Sequence, residues 1–536
     1  MASTFHGIET ARRSLMTQRT ALETTGHNIA NANTEGYTRQ RVNMQASIPM
    51  EAYGVMRSLT PGQLGTGVEF DSITRIRSGY LDNQFRNENG ALGSWSIQSE
   101  VLSKIEGIVN EPSDTGLRKV MDNFWKSWSD LSKDTESMTA RQVVKQNALA
   151  LTDAFNQTAK QLGDLRQDLT TNIAVKGKEM QSYMSSIADL NRSISRIESL
   201  GDNANDLRDQ RDLLTDKLSK IVGITVTEEQ GTGYYNISIR NAAGQAGQAL
   251  VTGVEATNLQ AEAPAAEGSP LETILAAAGS GEVQGMFLAR DSYVKDYQGQ
   301  LNQIVDTMAN GTTSVTIPAG SALPKGVTLL SDITLKGGAA LPAGQAFPEG
   351  GVVDKDTVIT VAGMNGLHQL GFSTDGTSTP GAAFFTIGDP ANAAATFSVN
   401  PLIADNASKI ASSIRVDASG SAVKGNNGLA LLIANLKDNK FTPVEGGTGA
   451  TIGDKYGAMI GQLGIQAQEA ARKTTNAESL ATQVDTNRQS VSGVSQDEEM
   501  TNLVKFQQAY NASARFMTTY DEMLDKLINS TGTVGR

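Results

Sequence analysis

"NLVKFQQAYNASARFMTTYDEMLDKL", Asn502 to Leu527, places Leu503, Phe506, Tyr510, Ser513, Met517, Tyr520, Leu524 and Leu527 at alternating steps of three and four. That spacing is an a/d seam on a helix, sustained over about four heptads. Ser495 precedes it as an N-cap, and Asp497, Glu498 and Glu499 follow where carboxylates complement the helix dipole. So narrow a stripe leaves most of the helix in water, and an isolated helix of this kind is marginal. The segment needs a partner, and its choice of partner decides the fold.

The opposite end of the chain offers one. Residues 5–30 read as a helix with Ile8, Leu15, Leu22 and Ile29 at intervals of seven, separated by Arg, Thr, Glu and Gln. Two narrow stripes of similar length are satisfied most simply by each other. The expected self-pairing and assembly surface is therefore Ile8, Leu15, Leu22 and Ile29 with Leu503, Phe506, Tyr510, Met517, Tyr520, Leu524 and Leu527. The first helix leaves through "NANTEG", in which Asn31, Asn33 and Gly36 tolerate left-handed backbone, and "YTRQRVNM" continues as an extended segment.

Between the ends, residues 90–225 are helical in pattern. Leu117, Met121, Phe124, Trp128 and Leu131 share one face; Tyr183, Ile187, Leu190, Ile194 and Ile197 share another, followed by Leu207, Leu214, Leu218 and Ile221. Near residue 224 the texture changes to alternating β-branched residues, "ITVTEEQGTGYYNISIR". Helix returns at 282–310. Residues 311–444 are rich in Gly, Ala, Thr, Ser and Pro, with strand-like runs such as "DTVITVAG" and "AAFFTIGD", and helix resumes near 454. The Ala/Gly-rich stretch 241–280 is assigned no structure. The fold class is α+β multidomain: a long helical coiled-coil or bundle framework built from both chain ends, carrying an inserted β-rich outer domain. The expected division is a terminal stalk (1–60, 490–536), a helical bundle (61–225, 282–310, 445–489) and a β-rich outer domain (226–281, 311–444).

Composition narrows the chemistry. The chain has 536 residues, a formal net charge of −12 and no cysteine. An acidic balance argues against nucleic acid and anionic membranes as partners, and the lack of Cys removes disulfides and thiolate sites. The N-terminal residues lack the apolar core of a secretory signal, and no run is long enough to span a bilayer. The three histidines are His6, His27 and His368. The first two lie about 32 Å apart on one helix and cannot share a metal. Asp206, Asp209 and Asp212 could meet a hard cation, but interleaved Arg208 and Arg211 favour a solvated, salt-bridged face. "EGGTGATIGDK" lacks phosphate-loop spacing and reads as a linker, and no nucleophile elbow occurs. No catalytic, cofactor or metal site is expected.

"NIANANTEGYTRQRV" resembles the N-terminal signature of bacterial flagellar rod, hook and hook-associated proteins; the residues carrying it are Asn28, Ala30, Asn31, Asn33, Gly36 and Tyr37. "SGVSQDEEMTNLVKFQQAYNASARFMTTYDEMLDKLIN" resembles the matching C-terminal signature. "NDLRDQRDLLTDKLSKIVGITV", "EVQGMFLARDSYVKDYQGQLNQIVDTMAN" and "GMNGLHQLGFSTDG" are similar to the interior of the hook-associated protein 1 family, whose members form the first hook–filament junction. Residues 312–361 interrupt the family pattern as an extra insertion. The resemblance implies an extracellular structural subunit at the junction of hook and filament, exported unfolded by the flagellar type III apparatus. It implies ring assembly with copies of itself, contacts to the hook protein and the second junction protein, and a cytoplasmic export chaperone. The exposed stripe Leu503, Phe506, Met517 and Leu524 is the candidate chaperone surface. Before assembly, stripes this narrow would lack stable partners, so folding of the ends would be coupled to polymerisation. Alternatives are another axial subunit (second junction protein, hook subunit or flagellin) or an exported enzyme with a hydrolase in 311–444.

Overall fold

The computed structural model describes residues 5–49, 65–111, 113, 116–259, 268–373, 380–417 and 419–530. The chain forms two compact units. The first gathers Met1–Ser96, Asn172–Gly285 and Lys473–Arg536; the second gathers Ile97–Thr171 and Met286–Arg472. The sequence grouping of 226–281 with 311–444 is therefore corrected: the former packs in the first unit and the latter in the second. Similar β texture is no guide to which core a strand joins.

In the first unit the N-terminal helix, His6–Ala30, packs against the C-terminal helix, Gln496–Asp525, as the two stripes lead one to expect. Ser495 caps the latter by accepting from Glu498 N, with three carboxylates in the first turn. Another side of the N-terminal helix lies on an antiparallel pair, Gln40–Ala46 with Val68–Arg75, where Thr17 Oγ1 donates to Val68 O at 3.4 Å. The "YTRQRVNM" segment is thus extended because it is a strand. A four-stranded antiparallel meander follows the helix Asn205–Ile221, with strands Ile224–Glu228, Tyr235–Arg240, Ala246–Thr252 and Glu255–Ala256 in consecutive order. Its buried face holds Ile224, Ile237, Ile239, Leu250 and Val251. Two of these strands and a short helix, Pro270–Leu275, fall in the stretch 241–280 that composition left unassigned. Residues 260–267 of that stretch lie outside the described ones.

The second unit has an aromatic core. Helix Leu117–Lys133 buries Leu117, Met121, Phe124, Trp128 and Leu131, the five positions its periodicity selects. Phe124 and Trp128 meet Phe384 at ring-centroid distances of 6.0 and 5.4 Å, and Phe385 stacks on Phe397 at 4.6 Å. Strands Thr312–Ile317 and Thr357–Ala362 pair antiparallel, so Thr313 and Val361 face each other where the 312–361 insertion begins and ends, and Ile317 faces Thr357 within it. His368 is fully buried: its Nδ1 donates to Ala382 O and its Nε2 accepts from Ala411 N at 2.9 Å. Burial pushes that imidazole down to about 4, so it stays neutral and structural.

Candidate functional site

The terminal helix pair of the first unit has one constant register. Gly7 sits beneath the ring of Tyr520, Ser14 Oγ meets Ser513 Oγ at 2.7 Å, and Asn28 Nδ2 donates to Glu499 Oε2 at 3.0 Å. Along the N-terminal helix these contacts recur every seven residues, at Gly7, Ser14 and Asn28, with buried Ala21 completing the series. The buried set on this helix is Gly7, Ala11, Thr17, Ala21, Thr24, Thr25 and Asn28, all small or polar. The predicted aliphatic stripe is displaced from it by one residue. Ile8, Leu15, Leu22 and Ile29 are half-buried, on the flank of the seam. The physical reason is distance: Tyr520 already fills the space at Gly7, where any Cβ would clash with its ring.

The C-terminal helix presents its predicted seam to this surface more faithfully. Leu503, Phe506, Met517 and Tyr520 are half-buried and Leu524 is buried, whereas Tyr510 and Leu527 are exposed. Away from the seam the same helix exposes Met500, Val504, Phe516 and Met523, and Ile528 follows in its last turn at 69% exposure. On the N-terminal segment Phe5 and Met16 are exposed. At helical spacing Met500 and Val504 fall on one flank of the seam and Phe516 and Met523 on the other.

The family-signature residues anchor the base of this pair. Asn28, 1% exposed, is a hub: Nδ2 donates to Gln40 O and to Glu499, while Oδ1 accepts from Gln40 N and from Tyr37 Oη at 2.8 Å. His27 Nδ1 lies 3.0 Å from the same Tyr37 hydroxyl. Arg39 ties the exit strand to Glu498 at 2.6 Å and Glu499 at 2.8 Å, and its N–H donates to Ser492 O. Gly36 turns the chain at φ +82°, as expected of the exit glycine. Asn31 is corrected: at φ −99° it is not left-handed, and it caps the helix by donating Nδ2 to His27 O. Asn33 and Ala30 are exposed, and Asn33 also lacks positive φ.

Beneath the hub lies a buried ionic cluster. The helix Asn205–Ile221 turns Asp209, Arg211, Asp212 and Asp216 inward and leaves Leu207, Leu213 and Leu214 half-exposed. The expected solvated face is thus overturned. Arg75 bridges Asp209 at 2.6 Å and Asp212 at 2.8 Å; Arg86 bridges Asp212 at 3.2 Å and Asp216 at 2.7 Å; Arg77 holds Asp82 at 2.7 Å. Arg488 reaches Asp216, and Tyr235 Oη donates to Asp212 at 2.8 Å. Thr38 N–H donates to Asp209, so the cluster continues into the exit strand. Burial alone would push the Asp212 carboxyl up; Arg77, Arg75 and Arg86 overcome it and hold it well below the usual carboxylate range. Burial wins at Asp209 and raises it in spite of Arg75. Tyr235 is pushed up to about 12 by burial and by Asp212.

Every acid in the cluster faces a guanidinium, so the cluster ties the exit strand, the helix 205–221 and Arg488 together as a clamp. Among the described residues no group of His, Asp and Glu is arranged to hold a metal, and no helix is long and apolar enough to cross a membrane. Sequence reading missed Arg39, Arg75, Arg77, Arg86 and Arg488 as site residues. It also passed over the recurrence of Gly7, Ser14, Ala21 and Asn28, a signal present in the sequence at period seven.

The chain is similar to known flagellar proteins along its whole length. Residues 102–316 match the model of the flagellar hook-associated protein FlgK helical domain. Residues 486–530 match the flagellar basal body rod FlgEFG protein C-terminal family, and residues 8–38 the flagella basal body rod protein family. Flagellar hook-associated protein 1 of Bacillus subtilis is 35% identical over 545 residues, covering 100% of both chains. That of Salmonella typhimurium is 28% identical over 571 residues, covering 97% of this chain and 99% of the relative. In fold, the flagellar hook junction protein FlgK of Burkholderia pseudomallei matches 76% of this chain and 100% of its own at a TM-score of 0.51 and 15% identity. Full-length similarity at this level, joined to the hub that Asn28 and Tyr37 of the signature form, places the chain in the flagellar hook-associated protein 1 family.

Proposed function

We propose that the chain is a structural subunit of the hook–filament junction, exported by the flagellar type III apparatus and assembled with copies of itself as a ring at the hook tip. The hook protein lies on one side of this ring and the second junction protein on the other. The observation that carries the reading is the terminal helix pair: clamped at its base by the Asn28 and Asp212 networks, yet apolar on its outer surface. A rigid base with a sticky exterior suits a subunit that polymerises through its ends. We assign it no catalytic role and no cofactor.

Chaperone binding through Leu503, Phe506, Met517 and Leu524 belongs to the same reading. These side chains face the N-terminal helix in the folded pair, so a chaperone that reads them must act before the pair closes. Met517→Asp with Leu524→Asp should abolish capture of the chaperone in a pull-down; unchanged capture would move its site elsewhere. The junction reading is tested by labelling the protein on intact flagella. A single band at the hook end supports it, and label distributed along the filament or within the hook sinks it.

A further inference from the structure

The 312–361 insertion contains a ten-residue stretch and a second copy of it identical at six of the ten positions. Ile317-Pro-Ala-Gly-Ser-Ala-Leu-Pro-Lys-Gly326 recurs as Leu341-Pro-Ala-Gly-Gln-Ala-Phe-Pro-Glu-Gly350. The structure repeats it too. Gly320, Gly326, Gly344 and Gly350 all have positive φ, between 71° and 85°. Asp356 Oδ1 accepts from Ala319 N at 2.7 Å, and Asp332 Oδ1 accepts from Ala343 N at 2.7 Å. Ala322 bridges Val352 while Thr328 bridges Ala346; Gly320 N donates to Val353 O while Gly344 N donates to Leu329 O. Each contact becomes its twin when the two halves are exchanged. Lys325 and Glu349, equivalent positions of opposite charge, pair across the divide at 2.7 Å. The lobe is a duplicated unit related by a pseudo-two-fold axis, closed over Leu323, Leu329, Phe347 and Val353.

The twins differ in what they touch. In the first half, Ala322 N donates outward to Ile414 O at 2.8 Å, and Arg415 Nη2 reaches Ala319 O at 3.2 Å. Ser321, Ala322 and Leu323 are buried there. In the second half, Gln345, Ala346 and Pro348 are exposed. Ala346 sits in a non-hydrogen-bonded position of its bridge, since the bonds flanking it are Phe347 N to Val327 O and Gly344 N to Leu329 O. At such a position the N–H points away from the paired strand. The edge that meets Ile414 and Arg415 in one half, through one main-chain and one side-chain hydrogen bond, is exposed in the other.

We infer that the Gln345–Phe347 edge docks an extended segment of a partner protein by strand addition. The occupant follows from what the twin edge already holds. It presents a main-chain carbonyl to Ala346 N–H and an arginine, one residue later, to the Ala343 carbonyl. Main-chain bonds supply the affinity of such contacts and the flanking side chain supplies the selectivity.

The probe is a peptide copying residues 411–417, Ala-Ser-Ser-Ile-Arg-Val-Asp. It is titrated into the full-length chain carrying methyl-labelled alanine. Binding with a Kd of about 1 mM is expected for so short a contact, with a chemical shift change at Ala346 and none at Ala322. Replacing the peptide's arginine by alanine should weaken binding about tenfold, equivalent to about 1.4 kcal/mol. Ala346→Pro, which removes the donor, should abolish binding. An unmoved Ala346 signal at saturating peptide, or a shift that the Arg-to-Ala peptide reproduces with equal affinity, overturns the proposal in the unmutated protein. So does full binding to folded Ala346→Pro.

Discussion

The two units solve the same problem with opposite materials. In the second, Phe124, Trp128, Phe384, Phe385 and Phe397 fill the interior, and its one buried histidine is neutral and satisfied. In the first, the contacts at the base of the helix pair are ionic and amide, and the seam above them is lined on one side by glycine, alanine, serine and threonine. Aromatic packing is tolerant: hydrophobic side chains of about the right volume usually suffice. A charge cluster is not, because each member is buried only on condition that the others are present. The first unit is therefore fixed in geometry to a degree the second need not be.

The largest test of this contrast is Asp212→Ala. It leaves Arg75, Arg77 and Arg86 buried beside fewer anions, and breaking a buried ion pair from one side costs about 3–5 kcal/mol. Hydrogen exchange should show lost protection in residues 205–221 and 68–75, while fluorescence from Trp125 and Trp128 stays native. Equal loss in both units would mean that the cluster is not local in its effect.

Acid should separate the units next. The His368 imidazole titrates at about 4 in the fold against about 6.5 in the unfolded chain. The unfolded state takes the proton first, so its contribution is complete above about pH 6.5, shrinks as pH falls, and levels off below about pH 4. The span corresponds to about 3 kcal/mol. Asp212 has the opposite placement for its type. A carboxyl held low contributes fully above the ordinary carboxylate range and loses that contribution progressively as pH falls through that range toward its depressed value, so little of it is lost above about pH 5. Between pH 7 and pH 4, urea titrations followed by fluorescence of Trp125 and Trp128 in a Trp95→Phe background should show the second unit weakening, and His368→Gln should flatten that slope.

Two substitutions sharpen the account of the helix pair. Gly7→Leu forces a side chain into the Tyr520 ring and should destabilise the pair by about 1–3 kcal/mol, as overpacking does. Faster exchange in both terminal helices is the readout. Leu15→Ser, on the half-buried flank, should cost about 1 kcal/mol or less. If Leu15→Ser loosens the pair more than Gly7→Leu, the aliphatic stripe and not the small-residue seam holds it.

Much of this was legible in the sequence, unevenly and for physical reasons. The pairing of the two ends followed from the period of their stripes, and Leu117–Leu131 followed from a broad apolar face. The side of the N-terminal helix that meets its partner did not. Periodicity analysis weighs apolar bulk, and here close approach required its absence, at Gly7, Ser14 and Ala21. Asp209 and Asp212 read as solvated because their counter-ions, Arg75, Arg77 and Arg86, are distant in sequence and brought close by the fold alone. Asn28 entered only as one residue of a family signature, although its four hydrogen bonds put it at the centre of the clamp.

The hydrogen bond between Ser14 and Ser513 joins residues separated by 499 positions. During synthesis the seam of the N-terminal helix must therefore wait for almost the entire chain before it can close, although its other side can meet strands 40–46 and 68–75 early. Contacts of such sequence separation form late, since the entropy of closing the loop has to be met before they contribute. Each further doubling of the loop adds only about 0.6 kcal/mol. The cost in time is more severe than the cost in free energy. The order of events is thus written into the topology: the interior can settle first, and the terminal helix pair is the last to be completed.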